Sequence, residues 1–183
     1  MSDIVILSGS PSEYSRSEHI LKYMGTLLKN RSFNVIHLSV RDAPQSDLFA
    51  GRYDSEDIQA IVDRIKRAQG VIVGSPVYKA SYSGILKALF DLFPQDILEH
   101  TPVLPVMTGG SESHLLAIEY TLKPLLATLK GQNLKGLYYL DKQIDREREI
   151  PIIDERLLER TKNQLHYLVD KVNQRQSRLS SAL

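Results

Sequence analysis

Residues 4–17 have the sequence IVILSGSPSEYSRS, and this stretch decides the fold class. The apolar run at 4–7 predicts a buried strand, and the Gly-Ser-Pro at 9–11 predicts a tight turn at its end. The Ser-Arg-Ser at 15–17 lies where a helix should begin, and unpaired backbone N–H groups collect at a helix start. The stretch therefore predicts a strand–turn–helix unit whose turn binds a phosphate group.

The loop of this unit carries hydroxyls and one arginine rather than a recognised glycine pattern. It matches neither the GxGxxG turn of dinucleotide-binding proteins nor the GxxxxGK[ST] loop of nucleoside triphosphatases. Serine hydroxyls and an arginine favour a single terminal phosphate, such as that of a flavin mononucleotide. The alternative is a plain helix N-cap, because serine and proline are both common at helix starts.

Five short apolar runs alternate with segments of helical periodicity. The runs occupy residues 4–7, 35–40, 71–74, 103–107 and 137–140, and the helical segments occupy residues 17–29, 55–67, 83–93, 113–130 and 153–175. Regular alternation of strand and helix predicts a parallel sheet with right-handed crossovers and helices on both faces. We therefore expect an α/β fold, a flavodoxin-like three-layer sandwich with a five-stranded parallel sheet in the order 2-1-3-4-5.

Length and composition indicate one globular domain. The chain has 183 residues, of which 42% are hydrophobic, and its net charge is +1. We expect a single domain over residues 1–176 and a frayed tail at 177–183. The balanced charge argues against a nucleic-acid partner, and no apolar stretch approaches the roughly 20 residues of a membrane span, so we expect a cytoplasmic protein without a membrane partner.

The ionisable residues show no pattern of a metal site. The chain has no cysteine, and its five histidines lack the spacing of a metal-binding motif, so no metal is expected. The charged run DRERE at 145–149 predicts a solvated surface loop.

Two further loops follow the third and fourth apolar runs. Residues 74–84, GSPVYKASYSG, place Tyr78 and Tyr82 around Lys79 and predict a flat amphipathic wall suited to an aromatic ring system. Residues 108–111, TGGS, contain two glycines that allow close approach of the backbone to a ligand. A surface loop and an ordinary strand-to-helix turn are the alternatives. Because ligands bind at the carboxyl ends of the strands where the order reverses, we expect the three loops to form one site.

The fourth helical segment, 113–130, contains a proline at position 124. Proline lacks an N–H group and crowds the carbonyl of the residue four positions earlier, which here is Tyr120. The sequence therefore predicts disrupted helix bonding at Tyr120, as a kink with a core tyrosine or as a π-bulge at a functional site.

The three loops and this helix resemble those of the flavodoxin-like NADPH-dependent FMN reductases, in particular the reductases of two-component alkanesulfonate monooxygenase systems. The similar stretches, within about residues 3–140, are GSP at 9–11, SRS at 15–17, PVYKASYSG at 76–84, TGG at 108–110, HLLA at 114–117, Tyr120 and LKP at 122–124.

The resemblance implies that FMN and NADPH are the cofactors. The FMN phosphate would be held by Ser10, Ser15, Arg16 and Ser17, the isoalloxazine lined by Pro76, Val77, Tyr78 and Lys79, and its other edge closed by Thr108, Gly109, Gly110 and Ser111. One position departs from the family, whose members often have an arginine where this chain has Ser12. Arg16 is expected to supply that charge, because an arginine can hold a phosphate through two hydrogen bonds.

The resemblance also implies the activity and assembly. NADPH would pass a hydride to FMN without a catalytic side chain, and the reduced FMN would supply a partner monooxygenase that desulfonates alkanesulfonates for sulfur acquisition. A π-bulge at Tyr120 and Pro124 would lie at a subunit interface of a homo-oligomer, a dimer or a homotetramer.

Two other functions remain open at this stage. One is an NAD(P)H-dependent quinone or azo reductase that retains its FMN, and the other is a flavodoxin-type electron carrier. Carriers commonly dock through an acidic face, and the net charge of +1 argues mildly against that class.

Overall fold

The computed structural model describes residues 3–181, with side chains through residue 177. The strands are β1 (Asp3–Ser8), β2 (Asn34–Ser39), β3 (Gly70–Pro76), β4 (Pro102–Gly109), β5 (Gln132–Asn133) and β6 (Leu137–Leu140). The helices are α1 (Arg16–Lys29), α2 (Gln45–Ala50), α3 (Glu56–Arg67), α4 (Gly84–Phe90), α5 (Lys123–Thr128) and α6 (Glu155–Ser181), with a π-helix at Ile118–Leu122. Within this part of the chain, no helix has the length and apolar character that a membrane span requires.

The strands form one parallel sheet in the order β2-β1-β3-β4, and two short strands share the position beyond β4. The strand β5 pairs with Pro102 and Val103, whereas β6 pairs with β4 from Val106 to Gly109. The predicted order 2-1-3-4-5 is confirmed, but the count of five strands is wrong because a sixth strand is present. Gly136 separates the two short strands with a φ of 85°, a left-handed conformation that favours glycine.

Both faces of the sheet are covered, as the unbroken apolar runs predict. Val5 and Leu7 of β1 face a core that includes α3, α4 and α5. Ile4 and Ile6 point to the opposite core, which includes α1 and α6. All four side chains are at most 1% exposed, so each strand contributes alternate residues to two separate cores.

Two helical predictions need correction. The segment 113–130 is not one helix, because a short 3₁₀ turn at Glu112–His114 and the π-helix precede α5. Pro124 lies in the first turn of α5, directly after the π-helix, and has no N–H group to donate to the carbonyls of that segment. The helix α6 continues to Ser181, past the predicted end at residue 175, and residues 182–183 of the expected tail lie outside the described residues.

Candidate active site

Three loops at the carboxyl ends of β1, β3 and β4 are joined by hydrogen bonds. The Gly9 N–H donates to the Gly74 carbonyl at 2.6 Å, and the Ser83 hydroxyl donates to the Gly9 carbonyl at 2.5 Å. The Val77 N–H donates to the carbonyl of Thr108 at 2.7 Å. Through these bonds the three loops that the sequence singles out form a single surface.

A cleft of about 270 Å³ opens on this surface. Its lining residues are Ser12, Tyr14, Ser15, Arg16, Pro76, Val77, Tyr78, Thr108, Gly109, Gly110, Asp141 and Arg146. Every loop of the predicted site contributes to this lining. Among the predicted site residues, the cleft therefore brings together Ser15 and Arg16 with residues 76–78 and 108–110.

Two of the predicted phosphate-binding serines do not line the cleft. Ser10 is fully buried, and its hydroxyl donates to the Ser12 carbonyl at 3.0 Å and accepts from the Ser12 N–H at 3.1 Å. Ser17 is 1% exposed, and its hydroxyl lies 3.1 Å from that of Ser15. Both hydroxyls shape the loop from within it.

Lys79 and Ser111 also lie outside the cleft lining. Lys79 and Ala80 form a tight turn with φ values of 50° and 64°, and the backbone of Tyr78 bonds to that of Ser81 on either side of it. The Ser111 hydroxyl accepts a hydrogen bond from the Ser113 N–H. The Ser111 carbonyl accepts one from the Tyr138 hydroxyl at 2.6 Å. Lys79 and Ser111 therefore lie in the loops at the rim of the cleft and not in its lining.

One end of the cleft lies at the start of α1, where the sequence predicts a phosphate site. Ser15 is the N-cap of this helix, with its hydroxyl accepting the Glu18 N–H at 3.2 Å. The Arg16 guanidinium is half-exposed and lies 3.9 Å from the Asp141 carboxylate, which is a weak surface pair. Hydroxyls, a guanidinium and a helix N-terminus are a donor set suited to a terminal phosphate.

A second arginine reaches the same end from a distant loop. The bridge between Ile144 and Ile152 folds residues 141–153 back on themselves, and we call this segment the 141–153 loop. The Nη1 of Arg146 in this loop donates to the Tyr14 carbonyl at 2.9 Å. Arg146 lines the cleft, and residues 146–149 are all exposed, as the prediction of a solvated loop expects.

The opposite end of the cleft is shaped by two glycines. A Cβ atom on Gly109 would lie 2.5 Å from the Tyr138 hydroxyl, so a side chain does not fit there without movement. A Cβ atom on Gly110 would meet only the Asp141 carboxylate, at 3.7 Å, and would project into open space. With the half-exposed Tyr78 on the facing loop, this end offers a flat and accessible surface to a planar ring.

A buried ionic cluster supports the first loop from beneath. The Glu18 carboxylate accepts from the Ser8 hydroxyl at 2.5 Å and from the His37 Nε2 at 2.8 Å, and the Arg41 Nη1 lies 3.6 Å away. Arg41 also donates to the Ser10 carbonyl at 2.9 Å. The cluster therefore ties β1, α1 and the segment after β2 to the loop backbone.

The charge state of this cluster follows from its contacts. Burial by itself would raise the pKa of the Glu18 carboxyl, which is 1% exposed. The hydrogen bonds from His37 and Ser8, with the charge of Arg41, outweigh burial and lower this pKa from 4.5 to about 2. Glu18 is ionised at neutral pH. No local sequence pattern indicates this cluster, because its members come from separate elements.

The π-helix lies beside the cleft rim. Its backbone pairs residues five apart, with the Lys123 N–H donating to the Ile118 carbonyl. The predicted disruption at Tyr120 is therefore present as a π-helix, and the Tyr120 side chain is 76% exposed. Ala80 of the tight turn and Tyr120 line a shallow hollow of about 180 Å³.

No group of three or more histidine, cysteine, aspartate or glutamate side chains within the described residues could hold a metal ion. Over residues 2–145 the chain matches the protein family described as NADPH-dependent FMN reductase. The chain belongs to this family.

Relatives in the reductase family share most of the chain. An FMN reductase (NADPH) of Pseudomonas putida is 45% identical over 142 residues, which cover 77% of this chain and 72% of the relative. An NADH-dependent FMN reductase of Pseudomonas putida, SfnF, is 38% identical over 140 residues, covering 74% of this chain and 75% of that protein. A crystal structure of an NADH:FMN oxidoreductase (EmoB) in its apo form superposes with a TM-score of 0.81 and 29% identity, covering 92% of this chain and 88% of that one.

Proposed function

We propose that this protein is an NADPH-dependent FMN reductase that binds FMN in the cleft and releases it reduced. The observation that carries the proposal is a cleft with phosphate donors at the N-terminus of α1 and a glycine-lined surface at the other end. Bound FMN supplies the chemistry by accepting a hydride from NADPH. The work of the protein is to position the two molecules and to exclude water between them.

The residues of the cleft have distinct parts in this proposal. Ser15, Arg16 and Arg146 hold the FMN phosphate, and Tyr78 and Gly110 lie against the ring. The cleft volume of about 270 Å³ lies just below the ~300–1,000 Å³ of sites that enclose a drug-sized ligand, so part of the flavin stays accessible. An accessible flavin suits exchange with solution and approach of a nicotinamide.

Steady-state kinetics with added FMN test the proposal. NADPH oxidation should rise with FMN concentration and saturate without any other acceptor. Protein that retains FMN in equal amount, gains nothing from added flavin and reduces quinones or azo dyes would instead be a quinone or azo reductase. Stopped-flow mixing with NADPH separates the third function, because a flavodoxin-type carrier would not be reduced without an accessory reductase.

The acceptor of the reduced flavin is a further part of the proposal. We propose that the protein is the reductase component of a two-component system in the cytoplasm. The monooxygenase of that system desulfonates alkanesulfonates. The resemblance of the loops of this chain to those of such reductases supports this role. The test combines the protein with NADPH, FMN, an alkanesulfonate and a flavin-dependent alkanesulfonate monooxygenase. Sulfite release should depend on the reductase, and its absence despite rapid FMN reduction would point to another acceptor.

The exposed π-helix supports a homo-oligomer. Leu115, Leu116 and Tyr120 are all more than half exposed beside the cleft rim, and a second copy of the chain would bury them. We expect Tyr120→Ala to shift sedimentation toward a smaller species and to speed FMN release. Unchanged sedimentation and unchanged FMN release would mean that the π-helix is no interface.

A further inference from the structure

A second and larger groove of about 490 Å³ runs along the outer face of α1. It is lined by His19, Lys22, Tyr23, Thr26, Leu27, Asn30, Arg148, Glu149, Ile150 and Pro151. One side is therefore α1 and the other is the tip of the 141–153 loop. We call this hollow the α1 groove.

The α1 groove adjoins the flavin cleft. Arg146 lines the cleft and Arg148 lines the groove, and an extended chain spans at most ~7 Å over two residues. On α1, Ser15 lines the cleft and His19 lines the groove, and the two residues are about one helical turn apart. The His19 Nδ1 lies 3.0 Å from the Ser15 carbonyl, so the α1 side of the groove continues into the α1 side of the cleft. A ligand in the groove can therefore extend to the edge of the cleft that is proposed to bind FMN.

The groove contains cations whose charge is not neutralised. Arg148 is exposed and makes no hydrogen bond or ion pair with the residues whose side chains are described, 3–177. Lys22 has one ionic neighbour among them, the exposed Glu13 at 3.9 Å, which is a weak contact. Two cations without strong partners in one hollow favour an anionic ligand.

The rest of the groove is apolar or aromatic. Tyr23 and Leu27 are half-buried on α1, and Ile150 and Pro151 face them from the loop. Such a surface suits one face of a planar base, and Asn30 at the end of α1 adds an amide that can bond to a base edge. The combination of a base-sized apolar wall with two cations matches a phosphorylated nucleoside better than an inorganic anion.

We propose that the α1 groove binds the adenosine 2′-phosphate half of NADPH, and that Lys22 and Arg148 contact the 2′-phosphate and set the preference for NADPH over NADH. This inference rests on the proposed function, since NADPH must also reach the flavin cleft. The 2′-phosphate is the group that distinguishes NADPH from NADH, and an arginine is suited to it through two hydrogen bonds.

The one carboxylate in the groove lining sharpens the proposal. Glu149 follows Arg148 directly and lines the groove with Tyr23. Burial raises the pKa of the Tyr23 hydroxyl, and the negative charge of Glu149 raises it further, so Glu149 lies on the Tyr23 side of the groove. An acidic side chain beside the adenosine ribose bonds to the 2′-hydroxyl of NADH but repels a 2′-phosphate. Glu149 therefore opposes Lys22 and Arg148 in the choice between the two nicotinamide cofactors.

The test compares both cofactors in the same variants. Lys22→Gln and Arg148→Gln should each raise the KM for NADPH about tenfold, the effect of one lost charge-assisted hydrogen bond, with kcat and the KM for NADH unchanged. Glu149→Gln should act in the opposite direction and lower the KM for NADPH. Lys29→Gln is the matched control, because Lys29 lies on the same helix but outside the groove.

A binding measurement completes the experiment. Adenosine 2′,5′-bisphosphate should bind the wild-type protein in calorimetry, bind Arg148→Gln about tenfold more weakly, and inhibit competitively against NADPH but not against FMN. Equal KM changes for both cofactors, no change for either, or no binding of the bisphosphate would overturn the inference. Wild-type protein that reduces FMN with NADH while the bisphosphate fails to bind would refute the groove alone, whereas failure to reduce FMN with either cofactor would refute the proposed function.

Discussion

The two walls of the flavin cleft differ in how they are built. The inner wall consists of the loops after β1, β3 and β4, and buried hydrogen bonds such as that from Ser83 to Gly9 hold it together. The outer wall is the 141–153 loop, where Asp141 and Arg146 meet the cleft from an exposed segment. Hydrogen bonds between the loops fix the inner wall, whereas the outer wall is anchored at its base, where Ile144 and Ile152 form the bridge and are buried in the core with α1 and α6.

The two walls differ in the role of their polar residues, because the serines of the sequence motif support the loop from inside and the arginines line the cleft. Ser10 and Ser17 belong to the part of the sequence that first indicated a phosphate site, yet both are buried and bond within the loop. The positive charge in the cleft lining comes from Arg16 at the rim and from Arg146 in the outer wall. Substitutions in the inner wall should therefore reduce stability, whereas those at the rim and outer wall should reduce binding alone.

The largest effect is expected at Glu18, which anchors the inner wall. Glu18→Gln removes the charge that faces His37 and Arg41, and we expect a loss of about 2 kcal/mol in the free energy of unfolding at neutral pH. Urea denaturation measures this loss. Glu13→Gln is the control, because Glu13 is an exposed carboxylate of the same loop and its loss should change stability by less than about 0.5 kcal/mol.

The same variant gives a pH test. Because the pKa of Glu18 falls from 4.5 to about 2 on folding, its contribution is fully present above pH 4.5 and disappears as the pH falls toward 2. The difference between wild type and Glu18→Gln should shrink over that range. A difference that stays constant down to pH 2 would mean that the ionised carboxylate is not its source.

A smaller loss of stability is expected at Ser83, which both caps α4 and bonds to Gly9. Ser83→Ala should destabilise the protein by about 1.5 kcal/mol and weaken binding of FMN and riboflavin alike, because the inner wall loosens. Ser55→Ala is the matched control, since Ser55 caps α3 away from the cleft. It should cost about 1 kcal/mol and leave flavin binding unchanged. Equal flavin affinities in the two variants would show that the bond to Gly9 does not support the site.

The two arginines of the cleft should change binding without changing stability. We expect Arg16→Ala and Arg146→Ala each to weaken FMN about tenfold and riboflavin hardly at all, because only FMN carries the phosphate. Fluorescence titration measures both affinities, and thermal unfolding should be unaffected. Arg52→Ala, a surface cation outside the cleft lining, is the control. Equal losses for FMN and riboflavin would assign the arginines to the ring rather than to the phosphate.

The smallest effect is expected at the tight turn of the rim. Ala80 has a φ of 64°, which strains an alanine, so Ala80→Gly should stabilise the protein by about 0.5 kcal/mol. The gain is limited because glycine also increases the entropy of the unfolded chain. Gly84→Ala is the control, because Gly84 is the exposed first residue of α4 and its φ is not positive. Destabilisation by Ala80→Gly would show that the turn is not strained.

Local patterns in the sequence predicted much of the fold. Apolar runs located the long strands, and Ser55 and Ser83 cap helices at the positions that the sequence indicates. The proline rule located the π-helix at Tyr120, because the disruption depends only on a residue four positions away. The loops on the inner wall were equally predictable, since they directly follow strands, and ligands bind at the carboxyl ends of the strands in such sheets.

The outer wall could not be predicted in the same way. Asp141 and Arg146 lie more than a hundred residues after Arg16 in the chain, and the fold of the 141–153 loop brings them to the cleft. The strand β5 has two polar residues and therefore no periodicity to detect. Its hydrogen bonds depend on β4, which is a contact that no local pattern records.

The interrupted strand beyond β4 has a consequence for how the molecule behaves in a crowded solution. A long regular sheet edge presents a row of unpaired N–H and C=O groups to which another chain can add. Here that edge consists of pieces of two and four residues separated by Gly136 in a left-handed conformation. The fully buried strand β4 is thereby kept away from the edge, and the remaining edge is too short and uneven to template a strand from a neighbour. The discontinuity makes this edge of the sheet a poor template for edge-to-edge aggregation.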